Sequence, residues 1–381
     1  MRHSTKFLRA RHVVAAAAVL AMPGVPSASA QPKCHLAYER MRTILGNAPD
    51  SDTMVLAHRG YWGRHAQAPD LPENSHAAIA AASVNCADGI ELDVKMTRGG
   101  EPIIMHDFNL GRTTNIWQVA HGAKYDPIHD TGQNPPVSGL DTGVIDRLFL
   151  LTPDRSKLTT HRVPKVDDVL RNWSHGIAGT YVPIVFDIKT TDAVRAVDAR
   201  VANRMPGYGK SVVAAKVNAT LYHTPGAFFR DAHNMMPIPV FTTNMLGVTN
   251  VPESVRGWSM QVNTLEINMK QPRGLLSPEF YNSHGSGDRI GVFHALPDGP
   301  RAGEFYKNTG ACCYRLSDLY YTYHFPGGTS RDTADLRGDL NYITQQGFGL
   351  ITTDDPDHVV RFLAAKGLRR HHPQAYPIRP H

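Results

Sequence analysis

Short apolar runs alternate with amphipathic stretches along most of the chain. The runs read as strands at Met54–His58, Gly89–Val94, Pro102–His106, Val182–Lys189, Ser211–Val217, Pro239–Thr243, Arg289–Ala295 and Gly347–Thr353. Between them, apolar positions at helical spacing predict helices at Asn74–Val84, Val166–Trp173, Thr191–Met205 and Pro356–Lys366. The first opens on a capping Asn, and the last has Pro and Asp in its first turn. Nearly continuous apolar strands that alternate with helices predict a parallel sheet. Eight of them in about 350 residues fit a (β/α)8 TIM barrel. A doubly wound sheet is the competing architecture, but no Gly-rich phosphate loop follows the first strand. Thr264–Lys270 reads as a ninth strand and leaves the numbering of the later ones open. Asn115–Arg162 is the longest irregular stretch, rich in Gly, Pro, Asp and Thr. It reads as an insertion after the third strand that passes over the barrel mouth.

The first 30 residues follow another pattern. Met1–Arg11 is basic, Val13–Ala21 is apolar and Ala28-Ser29-Ala30 is a small-residue cleavage site, so residues 1–30 read as a signal peptide with Gln31 as the mature start. The expected location is secreted or periplasmic. After residue 30 no apolar run is long enough to cross a membrane as a helix. The barrel domain is expected over 31–368, followed by a flexible Pro- and His-rich tail over 369–381. The formal net charge of +6 belongs to the ends. Arg2, Lys6, Arg9 and Arg11 lie in the leader, and Lys366, Arg369, Arg370 and Arg379 lie at the C-terminus. The body between them is slightly acidic, which argues against a nucleic-acid partner. Cys34, Cys86, Cys312 and Cys313 are the cysteines. Adjacent cysteines pair with each other only under strain, because their Cα atoms are too close for relaxed geometry, so Cys34–Cys86 is the expected bridge, with four free or partly buried thiols as the alternative.

The strands end in polar residues where barrel strands should be apolar. Val55-Leu56-Ala57 runs into His58-Arg59-Gly60, and Ile103-Ile104-Met105 runs into His106-Asp107. In Ile90-Glu91-Leu92-Asp93-Val94 the two carboxylates share one face, and in Phe186-Asp187-Ile188-Lys189 the two charges do. Buried charges are costly unless paired, wet or metal-bound, and active sites of this fold lie at the C-terminal strand ends. Carboxylates at this spacing suit a hard cation, Ca²⁺ or Mg²⁺. Zinc would prefer His and Cys at spacings that are missing here. Two histidines from different strands suit proton transfer on and off oxygen.

His58-Arg59-Gly60, Pro72-Glu73-Asn74-Ser75, Glu91-Leu92-Asp93-Val94, His106-Asp107 and Arg112-Thr113-Thr114 resemble, in order and spacing, the glycerophosphodiester phosphodiesterase family. Pro164–Leu170, Val185–Lys189 and Ile351–Asp357 resemble its later elements. The resemblance implies a phosphodiesterase barrel with one divalent cation at Glu91, Asp93 and Asp187. It implies His58 and His106 as the acid–base pair and Arg59 on the phosphate, with Lys189 neutralising developing charge. Glu73 would orient Arg59 or His58. The chain departs from the family at three places. Asp187 stands where the family usually has Glu; the related venom phospholipase D family resembles the chain in carrying Asp there, but lacks the His-Arg-Gly and Pro-Glu-Asn pattern. Lys216 replaces Ser-Phe, and Phe293-His294-Ala295-Leu296 replaces Trp-Thr-Val-Asn. His294 reads either as a further site residue or as a barrel-lining polar group. The shorter Asp favours Ca²⁺, which tolerates irregular geometry better than Mg²⁺. Glu266 is the rival third ligand, because Leu265-Glu266-Ile267-Asn268 also reads as a strand carrying an acid.

These features imply an exported phosphodiesterase that hydrolyses glycerophosphodiesters to glycerol phosphate and an alcohol. Its partner would be a small-molecule or lysolipid phosphodiester. One alternative is a phospholipase D-like enzyme acting on lysophospholipid or sphingolipid head groups. Another is a non-catalytic barrel that binds phosphate or polyols. Apolar residues of the insertion, Trp117, Leu140, Val144, Phe149 and Leu150, would favour a lipid if they faced outward.

Overall fold

A computed structural model describes residues 36–47, 52–63, 70–85, 87–174 and 182–369. The expected signal peptide, Cys34, Cys86 and the tail beyond Arg369 lie outside the described residues. Eight parallel strands close a barrel: β1 (Met54–His58), β2 (Gly89–Met96), β3 (Ile184–Ile188), β4 (Val213–Asn218), β5 (Met236–Phe241), β6 (Thr264–Ile267), β7 (Arg289–Phe293) and β8 (Leu350–Thr353). This is the (β/α)8 TIM barrel expected from the alternation of strand and helix.

The strand numbering is corrected at two points. Pro102–Ile104 pairs antiparallel with β2 and is no barrel strand. Thr264–Ile267, read as a surplus ninth candidate, is the barrel's β6. The long insertion therefore follows the hairpin made on β2. A strand of three residues joined to its neighbour by a tight turn has no room for a crossover helix, so antiparallel pairing is the only geometry open to it.

Period two along each strand sorts the side chains. Val55, Ala57, Ile90, Leu92, Val94, Ile184, Phe186 and Ile188 point outward and join the main core under the helices. Met54, Leu56, Val185, Ala214, Ile238 and Leu350 point inward near the bottom, where Met41, Ile44 and Leu45 plug the barrel. Met41 and Ile44 belong to the helix Ala37–Ile44. Above that apolar floor the inward positions turn charged: Glu91, Asp93 and Lys95 on β2, Asp187 on β3, Lys216 on β4 and Glu266 on β6. Lys189 follows β3. Arg369, expected to open the tail, is buried instead, and its Nη2 donates to Asp88 at 2.6 Å.

Two excursions rise from the barrel's upper end. The first holds its own small core, with Ile116, Ile145, Leu148 and Leu150 packed on Ile103 and Met105 and with Leu140 and Val144 against them. Leu140, Val144 and Leu150 thus face inward, whereas Ile128 and Leu158 are exposed. Phe149 lies under the Arg162 guanidinium and Trp117 under the Lys124 ammonium. The second excursion lies between β7 and the helix Leu340–Gln346. The two touch where Phe108 N–H donates to Asn308 O at 2.7 Å and Cys312 N–H to Pro127 O at 2.8 Å. Cys312 and Cys313 are bonded to each other, across a cis peptide, contrary to the expectation that adjacent cysteines do not easily pair.

Candidate active site

The loop after β1 is shaped by its backbone. Arg59 (φ 58°) and Gly60 (φ 83°) are left-handed, and a Cβ at Gly60 would lie 2.9 Å from the Ala78 backbone. Glycine is therefore required where the helix His76–Val84 presses on the turn. Asn74 does not cap that helix. Ser75 does, by accepting from Ala78 N–H at 3.0 Å. Asn74 is left-handed as well, and its Nδ2 donates to Asp93 at 3.0 Å.

These turns and the strand ends surround a pocket of about 210 Å³. His58, Arg59, Asp93, His106, Asp187 and Lys189 all line it, and Glu91 lies behind, 3.7 Å from His58 Nε2. The sequence-predicted site residues are thus brought together, with Glu73 bonded to Arg59 at 3.1 Å just outside the pocket wall. His294 is not among them. It is buried, with Nδ1 2.9 Å from the Thr353 hydroxyl, and burial pushes its pKa down to about 4.

Each of the two histidines has a carboxylate at Nδ1: Asp354 for His58 and Asp107 for His106, both at 2.7 Å. Burial alone would lower the His58 pKa, but Asp354 and Glu91 outweigh it and raise the value. A chain of charges joins the histidines. Glu73 accepts from Arg59 and, at 2.8 Å, from Arg112, and Arg112 donates to Asp107 at 2.6 Å. Burial opposes ionisation of Glu73, yet Arg112 and Arg59 hold its pKa below the usual range. Glu73 therefore orients the arginines. It, His106 and Asp107 could also be grouped as metal ligands, but both acids are already engaged by Arg112, and Glu73 by Arg59 as well.

The other grouping, His58, Glu91 and Asp93, differs. Its ligand atoms lie within 4.8 Å of one another. Burial, then the neighbouring Asp93, pushes Glu91 up to about 7. Asp93 stays well below the usual range, because His106, Lys95 and Arg59 outweigh its burial. Two buried carboxylates on one strand face, one of them raised by the other, are a donor set suited to a hard divalent cation. Asp187 sits opposite Asp93 in register, with its carboxylate on Lys189 at 2.6 Å. Glu266 is committed elsewhere, to Lys216 at 2.6 Å and Asn268 at 2.8 Å.

Several pocket residues were not read from the sequence. Asp354 lies within the quoted Ile351–Asp357 stretch, but its bond to His58 spans 296 residues. Asp298, Phe305, Tyr306 and Tyr314 come from the second excursion, which carried no strand-end signal.

Residues 58–216 match the model of the glycerophosphoryl diester phosphodiesterase family. The match runs from His58 into β4. Glycerophosphodiester phosphodiesterase 1 of Homo sapiens is 45% identical over 67 residues, which is 18% of this chain and 18% of the relative. A Bacillus altitudinis glycerophosphodiester phosphodiesterase is 38% identical over 76 residues, 20% of this chain and 29% of its own. The chain thus spans only about a fifth to a third of the length of these relatives. Among solved structures, a glycerophosphoryl diester phosphodiesterase from Parabacteroides distasonis superposes with TM-score 0.53 at 16% identity, covering 88% of this chain and 93% of that one. An Oleispira antarctica phosphodiesterase, solved with its product sn-glycerol-3-phosphate, gives 0.51 at 13% identity, covering 82% and 97%. At these identities the likeness is one of fold.

Proposed function

We propose that the protein is an exported, metal-dependent phosphodiesterase that hydrolyses glycerophosphodiesters to glycerol phosphate and an alcohol. One observation carries the reading: two carboxylate-backed histidines face the same pocket as Arg59, Lys189 and the Glu91–Asp93 pair. A carboxylate at Nδ1 places the ring proton there and leaves Nε2 for the substrate. One histidine accepts the proton of the nucleophile, either water or a neighbouring substrate hydroxyl, and the other donates a proton to the leaving alcohol oxygen. Arg59 and Lys189 hold the phosphoryl oxygens. Glu91 and Asp93, with Asp187 turned from Lys189, would hold the divalent ion. When bound, it would stabilise negative charge on a phosphoryl oxygen. The short Asp187 side chain favours Ca²⁺ over Mg²⁺.

The family match over the first half of the barrel supports this activity, as does the product held by the Oleispira neighbour. The basic, apolar and Ala-x-Ala pattern of residues 1–30 supports export. The inward packing of Leu140, Val144 and Leu150 favours a soluble diester over a lipid. The test is release of glycerol phosphate from glycerophosphodiesters by chelated protein, with Ca²⁺ or Mg²⁺ restored. No release with either ion refutes the reading.

A further inference from the structure

This inference rests on the phosphodiesterase reading and concerns the alcohol end of the substrate. Arg59, Lys189 and the two histidines line one side of the pocket, together with Asp93 and Asp187. The other side is built mainly by the second excursion. Leu296, Asp298, Phe305 and Tyr314 face the pocket there, beside Phe293 at the end of β7. Phe305 and Tyr314 stack with centroids 5.3 Å apart and planes 17° apart. A two-residue antiparallel ladder, Glu304–Arg315 and Phe305–Tyr314, fixes both. Tyr306 is already engaged, with Arg112 and Arg155 guanidinium groups 5.0 and 5.4 Å from its ring.

Asp298 is the acid of this wall, its side chain 14% exposed. Its Oδ1 accepts from Tyr306 N–H at 3.1 Å, which anchors it to the excursion. Its Oδ2 lies 3.6 Å from Arg59 Nη1, too far for a hydrogen bond. A phosphate drawn onto Arg59 competes with Asp298 for that guanidinium and leaves the carboxylate facing the rest of the substrate. A carboxylate set among rings repels a second anion and offers a neutral polyol few partners. A weakly hydrated cation finds both its charge partner and its apolar contact there. A primary ammonium would need several acceptors, and beyond the Asp298 carboxylate and the tyrosine hydroxyls the ring faces supply none.

We propose that this wall is a subsite for a quaternary ammonium group, so that the preferred substrate is a glycerophosphodiester with a trimethylammonium alcohol as its leaving group. Hydrolysis of glycerophosphocholine is compared with that of glycerophosphoglycerol, with Ca²⁺ present. Wild-type protein is expected to show the higher kcat/KM on the choline diester. Asp298→Asn keeps the acceptor for Tyr306 N–H, and Tyr314→Leu removes a ring. Each should lower the choline-to-glycerol ratio of kcat/KM about tenfold, whatever change the two substrates share. A measurement without variants runs beside it: choline should inhibit hydrolysis of the glycerol diester competitively, and free glycerol at the same concentration should not. Equal kcat/KM values, ratios unmoved in both variants, or equal inhibition by the two alcohols overturn this inference and leave the phosphodiesterase reading standing. Hydrolysis of neither diester overturns both.

Discussion

Two pairs of charged residues are buried in the barrel lumen within a few residues of one another along the strands, and they are built on opposite principles. Lys216 and Glu266 form a matched pair at 2.6 Å, and Thr352 and Asn268 complete their hydrogen bonds. Burial opposes both charges, but each holds the other ionised. Glu91 and Asp93 are like charges on one strand face, and Glu91 rises to about 7. A fold gains nothing by burying like charges unless something else joins them. The contrast separates a group that completes the scaffold from one that awaits a ligand.

That contrast can be broken most severely through the histidines. His58→Ala and His106→Ala should each lower kcat about 10²–10⁴-fold, the usual worth of positioned acid–base catalysis. Circular dichroism and melting curves should show both variants folded, and near-wild-type turnover in either would remove it from the acid–base pair.

Exchanging the acids sharpens the comparison. Glu266→Gln strands the buried Lys216 charge and should cost about 3–5 kcal/mol of stability, as expected for a broken buried pair, with calorimetric Ca²⁺ affinity little changed. Glu91→Gln should reverse the outcome, with affinity lost and stability kept or improved. A Glu266→Gln protein that loses the ion while Glu91→Gln keeps it would show that the two layers have been assigned the wrong way round.

Asp187→Asn is expected to do less. It should weaken the ion's binding and leave activity that recovers partly at high metal concentration, which a titration of rate against Ca²⁺ would show.

The smallest effect is on pH. The ion needs Glu91 ionised, and a proton competes with it below about 7. Ca²⁺ affinity should therefore fall as pH drops below about 7, by up to about tenfold per unit for one competing proton. Calorimetry in two buffers of different ionisation enthalpy should record proton release on binding near that pH and little well above it.

Much of the candidate site was legible because it lies on strands. Period two placed Glu91 with Asp93 and Asp187 with Lys189 on common faces, and the structure keeps them so. What escaped depends on contacts distant in sequence. Nothing near Asp354 shows that it will meet His58, and nothing in the second excursion marks Asp298 or Tyr314 as pocket residues. The surplus strand was misplaced because an apolar triplet such as Pro102–Ile104 reads the same whether its neighbour runs parallel or antiparallel. The adjacent cysteines were misread because sequence does not report peptide isomers.

The Arg369–Asp88 clasp bears on when the barrel can close. The guanidinium also donates to Thr53 O, and β1 takes β8 as its neighbour along Met54–Ala57. The clasped partners are 281 residues apart in sequence. The first strand therefore keeps an open edge throughout synthesis, until nearly the last described residue has emerged. Pairing of partners so far apart in sequence is slow. A strand that waits so long for its neighbour offers its unpaired backbone groups to other chains for most of that time.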